Sequence, residues 1–307
     1  MATQSHILIL GAGGFIGSAC ARAVLESGDR LTCLAHRTPL ASELSGARTV
    51  PGSLPTFPWR SLEADPPTII LHLARLSAPG RSGRRIAAWR SARANRRLLS
   101  WLEGQAHPPL LVLVAGTLAY GPSADAEVYE EHPLNPVGFA RQYARGEAPV
   151  LAALQAGRLP VQIMRPAWVY GPRSWLKSFY LDPMRREGFV PLYGSGENWM
   201  SLIHVEDAAR WILRLAQTAP TGTTFNLVSG APMRQTELAE RLSRISGLPV
   251  RRRTPADLAI RDSALWESLT FSQRTATRHA ARYHEIGCDH PDPGLALESL
   301  WRALRTA

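Results

Sequence analysis

The sequence predicts an α/β protein: a doubly wound parallel sheet with a smaller C-terminal lobe. Three observations predict it. Short apolar runs without polar alternation recur along the chain, helical stretches separate them, and the first run ends in a glycine-rich turn, Gly11-Ala12-Gly13-Gly14-Phe15-Ile16-Gly17. Such runs suit strands buried on both faces, as in a parallel sheet covered by helices on each side.

Taken in order, the runs are HILIL (6–10), LTCLA (31–35), IILHL (69–73), LLVLV (110–114), VQIM (161–164) and FNLV (225–228). Helices are predicted over 18–26, 81–102 and 142–156. Beyond about residue 170 the pattern loosens, and aromatic and Met residues gather between Trp168 and Met200. Two later amphipathic stretches, 235–245 and 294–304, read as helices of a smaller lobe. The predicted division is 1–166 and 167–307, with 204–228 returning to the first part.

The chain has 307 residues, 45% hydrophobic and 20% charged, which is globular in character. Its formal charge of +10 is nearly all arginine, because Lys177 is the single lysine. No zinc-finger, homeodomain or RNA-binding signature accompanies that charge, so no nucleic-acid partner is expected. Cys20, Cys33 and Cys288 form no CxxC pair and no metal-ligand spacing. Free thiols in a reducing compartment, and no metal, follow. The 6–10 run lacks a charged leader and a cleavage site, and no stretch approaches the length of a membrane span. A cytoplasmic protein without a membrane partner is expected.

The glycine-rich turn sits between a predicted strand and a predicted helix. Gly11 serves the tight turn, Gly14 lets the backbone approach a pyrophosphate, and Gly17 lets helix and strand pack closely. The positive helix end then faces the phosphates. This is a Rossmann-type dinucleotide signature. The second run ends Leu34-Ala35-His36-Arg37, with no carboxylate to accept from a ribose 2′-hydroxyl. Arginine pairs with a 2′-phosphate instead. The expectation is NADP(H), with Arg37 and His36 at the phosphate.

Further motifs follow in register: His72-Leu73-Ala74, Asn95, Ala119-Tyr120-Gly121, Arg165-Pro166-Ala167-Trp168-Val169-Tyr170-Gly171-Pro172, Leu192-Tyr193-Gly194-Ser195-Gly196, His204-Val205-Glu206-Asp207 and Phe225-Asn226-Leu227. Together with the glycine turn they resemble the extended short-chain dehydrogenase/reductase family, also called the NAD-dependent epimerase/dehydratase family, over nearly the whole chain. The resemblance implies a cofactor site made by Gly11, Gly14, Phe15 and Ile16, by Ser53 and Leu54, by Leu73, Ala74 and Ala115, and by Tyr143, Pro166 and Val169. It also implies that relatives often dimerise through two helices, so a monomer or homodimer is expected.

The departures from the family pattern concern its catalytic Ser/Thr, Tyr and Lys. Gly116 stands at the Ser/Thr position. Where relatives carry Tyr-x-x-x-Lys, this chain reads Phe139-Ala140-Arg141-Gln142-Tyr143. Phe139 has no hydroxyl, and Tyr143 replaces the lysine that lowers the tyrosine's pKa and holds the nicotinamide ribose. Positions 139 and 143 are expected one helical turn apart on one face. Thr117 and Tyr143 are the candidates for assisting, although on a strand Thr117 would point away from the Gly116 position.

Trp168, Trp175, Phe179, Tyr180, Tyr193, Trp199 and Met200 suggest a broad aromatic pocket for a flat polycyclic substrate. An Arg/Ala-rich reductase without the triad resembles ketoreductases of antibiotic pathways. The expected function is NADPH-dependent reduction of an aromatic, angucyclinone-like polyketide ketone, with the proton supplied by the substrate's own phenol or by water. Two alternatives stay open: a non-catalytic NADP(H)-binding sensor, and a sugar-nucleotide epimerase or dehydratase.

Overall fold

Seven strands carry the first unit of the computed structural model, which describes residues 4–36, 40–258 and 263–306. They are β1 (His6–Leu10), β2 (Arg30–Ala35), β3 (Arg48–Pro51), β4 (Ile69–His72), β5 (Leu110–Val114), β6 (Val161–Pro166) and β7 (Thr223–Leu227). Their order is β7-β6-β5-β4-β1-β2-β3. β1 pairs in parallel with both β2 and β4, and β2–β3, β4–β5 and β5–β6 are also parallel. The order reverses at β1, and the carboxyl ends of β1 and β4 flank the switch point where such sheets bind ligands.

The connecting helices are α1 (Phe15–Glu26), α2 (Gly80–Glu103), α3 (Ala140–Ala156) and α4 (Val205–Thr218). The continuous apolar runs are explained by two-sided burial. All five residues of β1 are buried, as are the four of β4. Leu8, Leu10, Ile70, Leu111, Leu113 and Ile163 from the strands join Leu98 and Leu102 of α2 and Val150 of α3 in one core. At the sheet margin, Gln162 Nε2 donates to the carbonyls of Ala219 (3.0 Å) and Pro220 (3.1 Å), tying β6 to the chain just before β7.

The second unit comprises 116–140, 166–208 and 226–307, and the first comprises 1–115, 141–165 and 209–225. The sequence reading kept 116–140 with the first part, whereas contacts group it with the second. The physical reason is a set of polar ties. Gln273 Nε2 donates to the carbonyls of Gly121 (2.9 Å) and Thr117 (3.2 Å), and Glu130 accepts from the Asn226 amide (3.0 Å) and the Thr277 hydroxyl (2.6 Å). Strands Trp168–Tyr170, Trp199–His204 and Ser229–Arg234 form a three-stranded sheet, and Val190–Tyr193 pairs in parallel with Val250–Arg253. Helices Gln235–Ser246 and Pro293–Thr306, each close to its predicted span, cover a core that includes Tyr180, Tyr193, Leu238, Leu242, Leu297 and Trp301. Among the described residues no helix is long and apolar enough to cross a membrane.

Candidate functional site

The glycine turn forms as its residue types dictate. Gly11 adopts φ +103°, and a Cβ there would lie 2.9 Å from the Ala74 amide nitrogen. A Cβ on Gly17 would lie 2.1 Å from the Gly11 carbonyl oxygen. The turn closes through Gly14 N–H donating to Gly11 O at 3.0 Å. α1 then starts at Phe15 with Gly14 as its N-cap, with no side-chain cap and no acidic residue in the first turn. The first N–H groups of a helix lack intrahelical acceptors, so this end presents donors and positive potential to an anion. These residues fit a dinucleotide pyrophosphate.

Around the turn, Leu73 N–H donates to Leu10 O at 2.9 Å, which sets Leu73 and Ala74 beside Gly11. Ser53 is half-buried, and its hydroxyl shares a 2.8 Å hydrogen bond with the Thr56 hydroxyl. Leu54 and Ala115 are buried in the first unit's core. In the second unit, Pro166 and Val169 are buried. His36 is exposed at the end of β2, while Arg37 lies outside the described residues.

A cleft opens at the carboxyl ends of β4 and β5, lined by Leu54, His72, Ala74, Arg75, Gln142, Tyr143 and Glu147 among others. Two residues in it that the sequence reading passed over are charged. Arg75 places its guanidinium carbon 4.7 Å from the centroid of the half-buried Tyr143 ring. Its Nη2 donates to the Ala115 carbonyl at 2.5 Å and lies 3.7 Å from Glu147 Oε1. Glu147 is buried, so the guanidinium is its compensating charge. Neither hydrophobic period nor a family motif flagged this pair. The one available signal was an arginine directly after His72-Leu73-Ala74.

Asn95, the family's helix asparagine, is buried and joins two elements. Its Nδ2 donates to Gly146 O at 2.9 Å, which fixes the amide's orientation and leaves Oδ1 to accept from His72 Nε2 at 2.8 Å. His72 therefore carries its proton on Nε2. Burial pushes its pKa down to about 4, only partly offset by the Asn95 hydrogen bond, so the ring is neutral at physiological pH. Among the described residues its buried Nδ1 has no hydrogen-bond partner, nor does Gln142 Oε1.

At the three family triad positions, no hydroxyl–ammonium pair is present. Gly116 is extended and precedes a short 3₁₀ turn, Thr117–Tyr120. Thr117 is thus at a turn and not on a strand as expected, because the chain leaves the sheet after β5, and its side chain is buried. Phe139 lies in the turn just ahead of α3, while Tyr143 lies in the helix's first turn.

The aromatic residues of the second unit divide. Tyr180, Tyr193 and Met200 are at most 2% exposed and belong to its core, so their assignment to a substrate wall is corrected: apolar packing claims them. Tyr193 also donates its hydroxyl to the Phe179 carbonyl. Trp168, Trp175 and Phe179 pack against that core and stay partly exposed, with Trp168 and Trp175 4.4 Å apart. Trp199 instead takes part in a surface network. Its Nε1 donates to Asp125 at 2.8 Å, and the Arg234 guanidinium lies 4.0 Å from its ring.

No metal centre was expected. Among the described residues, His204, Glu206 and His290 bring donor atoms within 4.8 Å of one another, with Glu206 61% exposed. Glu206 Oε2 lies 3.9 Å from His204 Nδ1 and 3.5 Å from His290 Nε2, so these three residues could hold a metal ion.

The profile described as "NAD dependent epimerase/dehydratase family" matches residues 7–227. A dTDP-glucose 4,6-dehydratase of Streptomyces griseus is 27% identical over 260 residues, 79% of each chain. A 2-alkyl-3-oxoalkanoate reductase of Stenotrophomonas maltophilia (strain K279a) is 24% identical over 261 residues, 79% of this chain and 76% of the relative. In fold, the chain resembles a dTDP-glucose 4,6-dehydratase from Bacillus anthracis str. Ames in complex with NAD, at TM-score 0.79 and 18% identity over 98% of this chain and 97% of that one.

Proposed function

This chain belongs to the NAD dependent epimerase/dehydratase family, whose fold is that of the extended short-chain dehydrogenase/reductases, and from that premise we propose that it is an NADPH-dependent ketoreductase acting on an aromatic polyketide ketone. The observation that carries the reading is an intact dinucleotide turn in a chain with Gly116, Phe139 and Tyr143 at the family's Ser/Thr, Tyr and Lys positions. The bound dihydronicotinamide supplies the hydride. The protein's part would be to hold and aim it: the α1 end would face the pyrophosphate, and the cleft at the carboxyl ends of β4 and β5 lies in the same unit.

A positioned general acid contributes typically 10²–10⁴-fold, so its loss restricts the substrate without abolishing reduction. A ketone hydrogen-bonded to its own phenol fits that restriction. As the carbonyl carbon gains its C–H bond, the carbonyl oxygen takes the phenolic proton, and the phenolate regains a proton from water. Trp168, Trp175 and Phe179 offer partly exposed rings for stacking against a flat substrate. The similarity to an oxoalkanoate reductase supports keto reduction as the reaction class. Sugar-nucleotide epimerisation and dehydration begin by oxidising an unactivated alcohol, which needs a base that these three positions lack. Ribose 2′-phosphate as the discriminating group follows from His36-Arg37 and the missing carboxylate at the end of β2.

The test follows NADPH absorbance with a polycyclic ketone bearing an adjacent phenol and with its methyl ether. The phenol is expected to turn over and the ether to be at least about 10²-fold slower. Equal rates, or no turnover across a panel of phenolic ketones, overturn the reading. Conversion of a dTDP- or UDP-sugar without added NADPH would put the sugar-nucleotide reading in its place.

A further inference from the structure

Position 143 has exchanged an ammonium for a phenol, yet a cation still stands beside it. Arg75 reaches over the Tyr143 ring from the segment that follows β4, and it does so next to Ala74, whose amide nitrogen the turn at Gly11 nearly touches. The bond to Ala115 O and the ion pair with Glu147 hold the guanidinium in place. Its side chain remains 39% exposed, and a guanidinium has five N–H donors. Gln142 and His72 line the same cleft. A partly exposed cation held by two partners suits an anionic group such as a ribose phosphate.

Resting on the reading that the chain binds a nicotinamide cofactor, we infer that Arg75 is its cofactor-positioning cation, replacing from β4's carboxyl end the lysine absent from α3. Arg75 contacts the ribose-phosphate portion of the cofactor, Glu147 fixes its rotamer, and Tyr143 forms the surface on which the guanidinium rests. Positive charge is thereby retained while the phenol–ammonium pair of the family is not.

The experiment measures the Kd of NADPH by fluorescence titration, together with melting temperature, for wild type, Arg75→Ala, Arg75→Lys, Arg75→Gln and the double variant Arg75→Ala/Tyr143→Lys. Losing a charge-assisted hydrogen bond corresponds to roughly 10- to 100-fold in affinity. Arg75→Ala and Arg75→Gln are expected to lose that much, Arg75→Lys to keep most of the affinity, and the double variant to regain it by restoring an ammonium at 143. A merely structural arginine would not be rescued from 143. If Arg75→Ala also lowers the melting temperature, the Lys and Gln variants decide at equal folded fraction: equal affinities for the two overturn the inference. Wild-type affinity in Arg75→Ala overturns it too, while leaving the proposed function standing. Failure of the wild type to bind NADPH or NADH removes both readings, so the two failures are distinct.

Discussion

His72 Nε2 and Asn95 Oδ1 meet at 2.8 Å inside the first unit, and the pair links β4 to α2 and, through Gly146 O, to α3. The imidazole is neutral there because burial lowers its pKa from 6.5 to about 4. The unfolded chain therefore binds more protons than the native one between those values, and stability rises with pH across that window. Lowering the pH from 7 toward 4 is expected to remove on the order of 3 kcal/mol through this one residue. Urea unfolding at pH 7 and pH 4.5 checks it: His72→Gln should be less stable than wild type at pH 7 and should show a smaller loss between the two pH values.

Gly17→Ala is expected to lower stability by roughly 1–3 kcal/mol, the usual range for overpacking, and to abolish cofactor binding. The new Cβ would fall 2.1 Å from backbone oxygen, which has no rotamer to escape into. Gly46→Ala, where nothing lies within 4 Å, should alter neither. Thermal melts with and without NADPH separate the two outcomes.

Asp207 is fully buried and accepts from the amides of Asp289 and His290, both at 2.9 Å. Its replacement by Ala strands those donors. A cost of roughly 1.5–3 kcal/mol is expected, with faster hydrogen exchange at the Asp289 and His290 amides as the local readout.

Phe139→Tyr alone is expected to change ketone reduction by less than about tenfold, well short of what a tuned general acid contributes. Position 143 carries no ammonium to lower the new phenol's pKa. Phe139→Tyr with Tyr143→Lys should exceed either single change. A large gain from Phe139→Tyr alone in steady-state assays would contradict the reading of this site.

Arg37→Glu is expected to weaken NADPH at least about tenfold relative to NADH, since a guanidinium–phosphate pair would be replaced by a like-charge contact. Parallel titrations with the two cofactors read the ratio. An unchanged ratio would detach the 2′-phosphate from this arginine.

The strands of the large sheet were legible because burial on both faces leaves unbroken apolar runs, and HILIL and LLVLV coincide with β1 and β5. β3, read as nothing, is Arg-Thr-Val-Pro at the sheet's edge with only Val50 buried. Such an edge leaves no apolar run to find. The glycine turn was legible because steric need restricts its residue types. The Arg75–Tyr143–Glu147 group was not, since Arg75 stands 68 and 72 positions before the other two and only the fold brings it to them. Aromatic clustering predicted a pocket wall too broadly: Tyr180 and Tyr193 supply bulk to a core, and composition alone does not separate lining from filling.

The polypeptide passes between its two units five times, at 115–116, 140–141, 165–166, 208–209 and 225–226. A gene cut at residue 166 would strip β7 from one product and leave the other without 116–140. Neither half is a transplantable module, so recombination that exchanged substrate preference with a relative would have to swap several separate segments at once. Gradual substitution within the existing segments is the easier route by which such a chain acquires a new substrate.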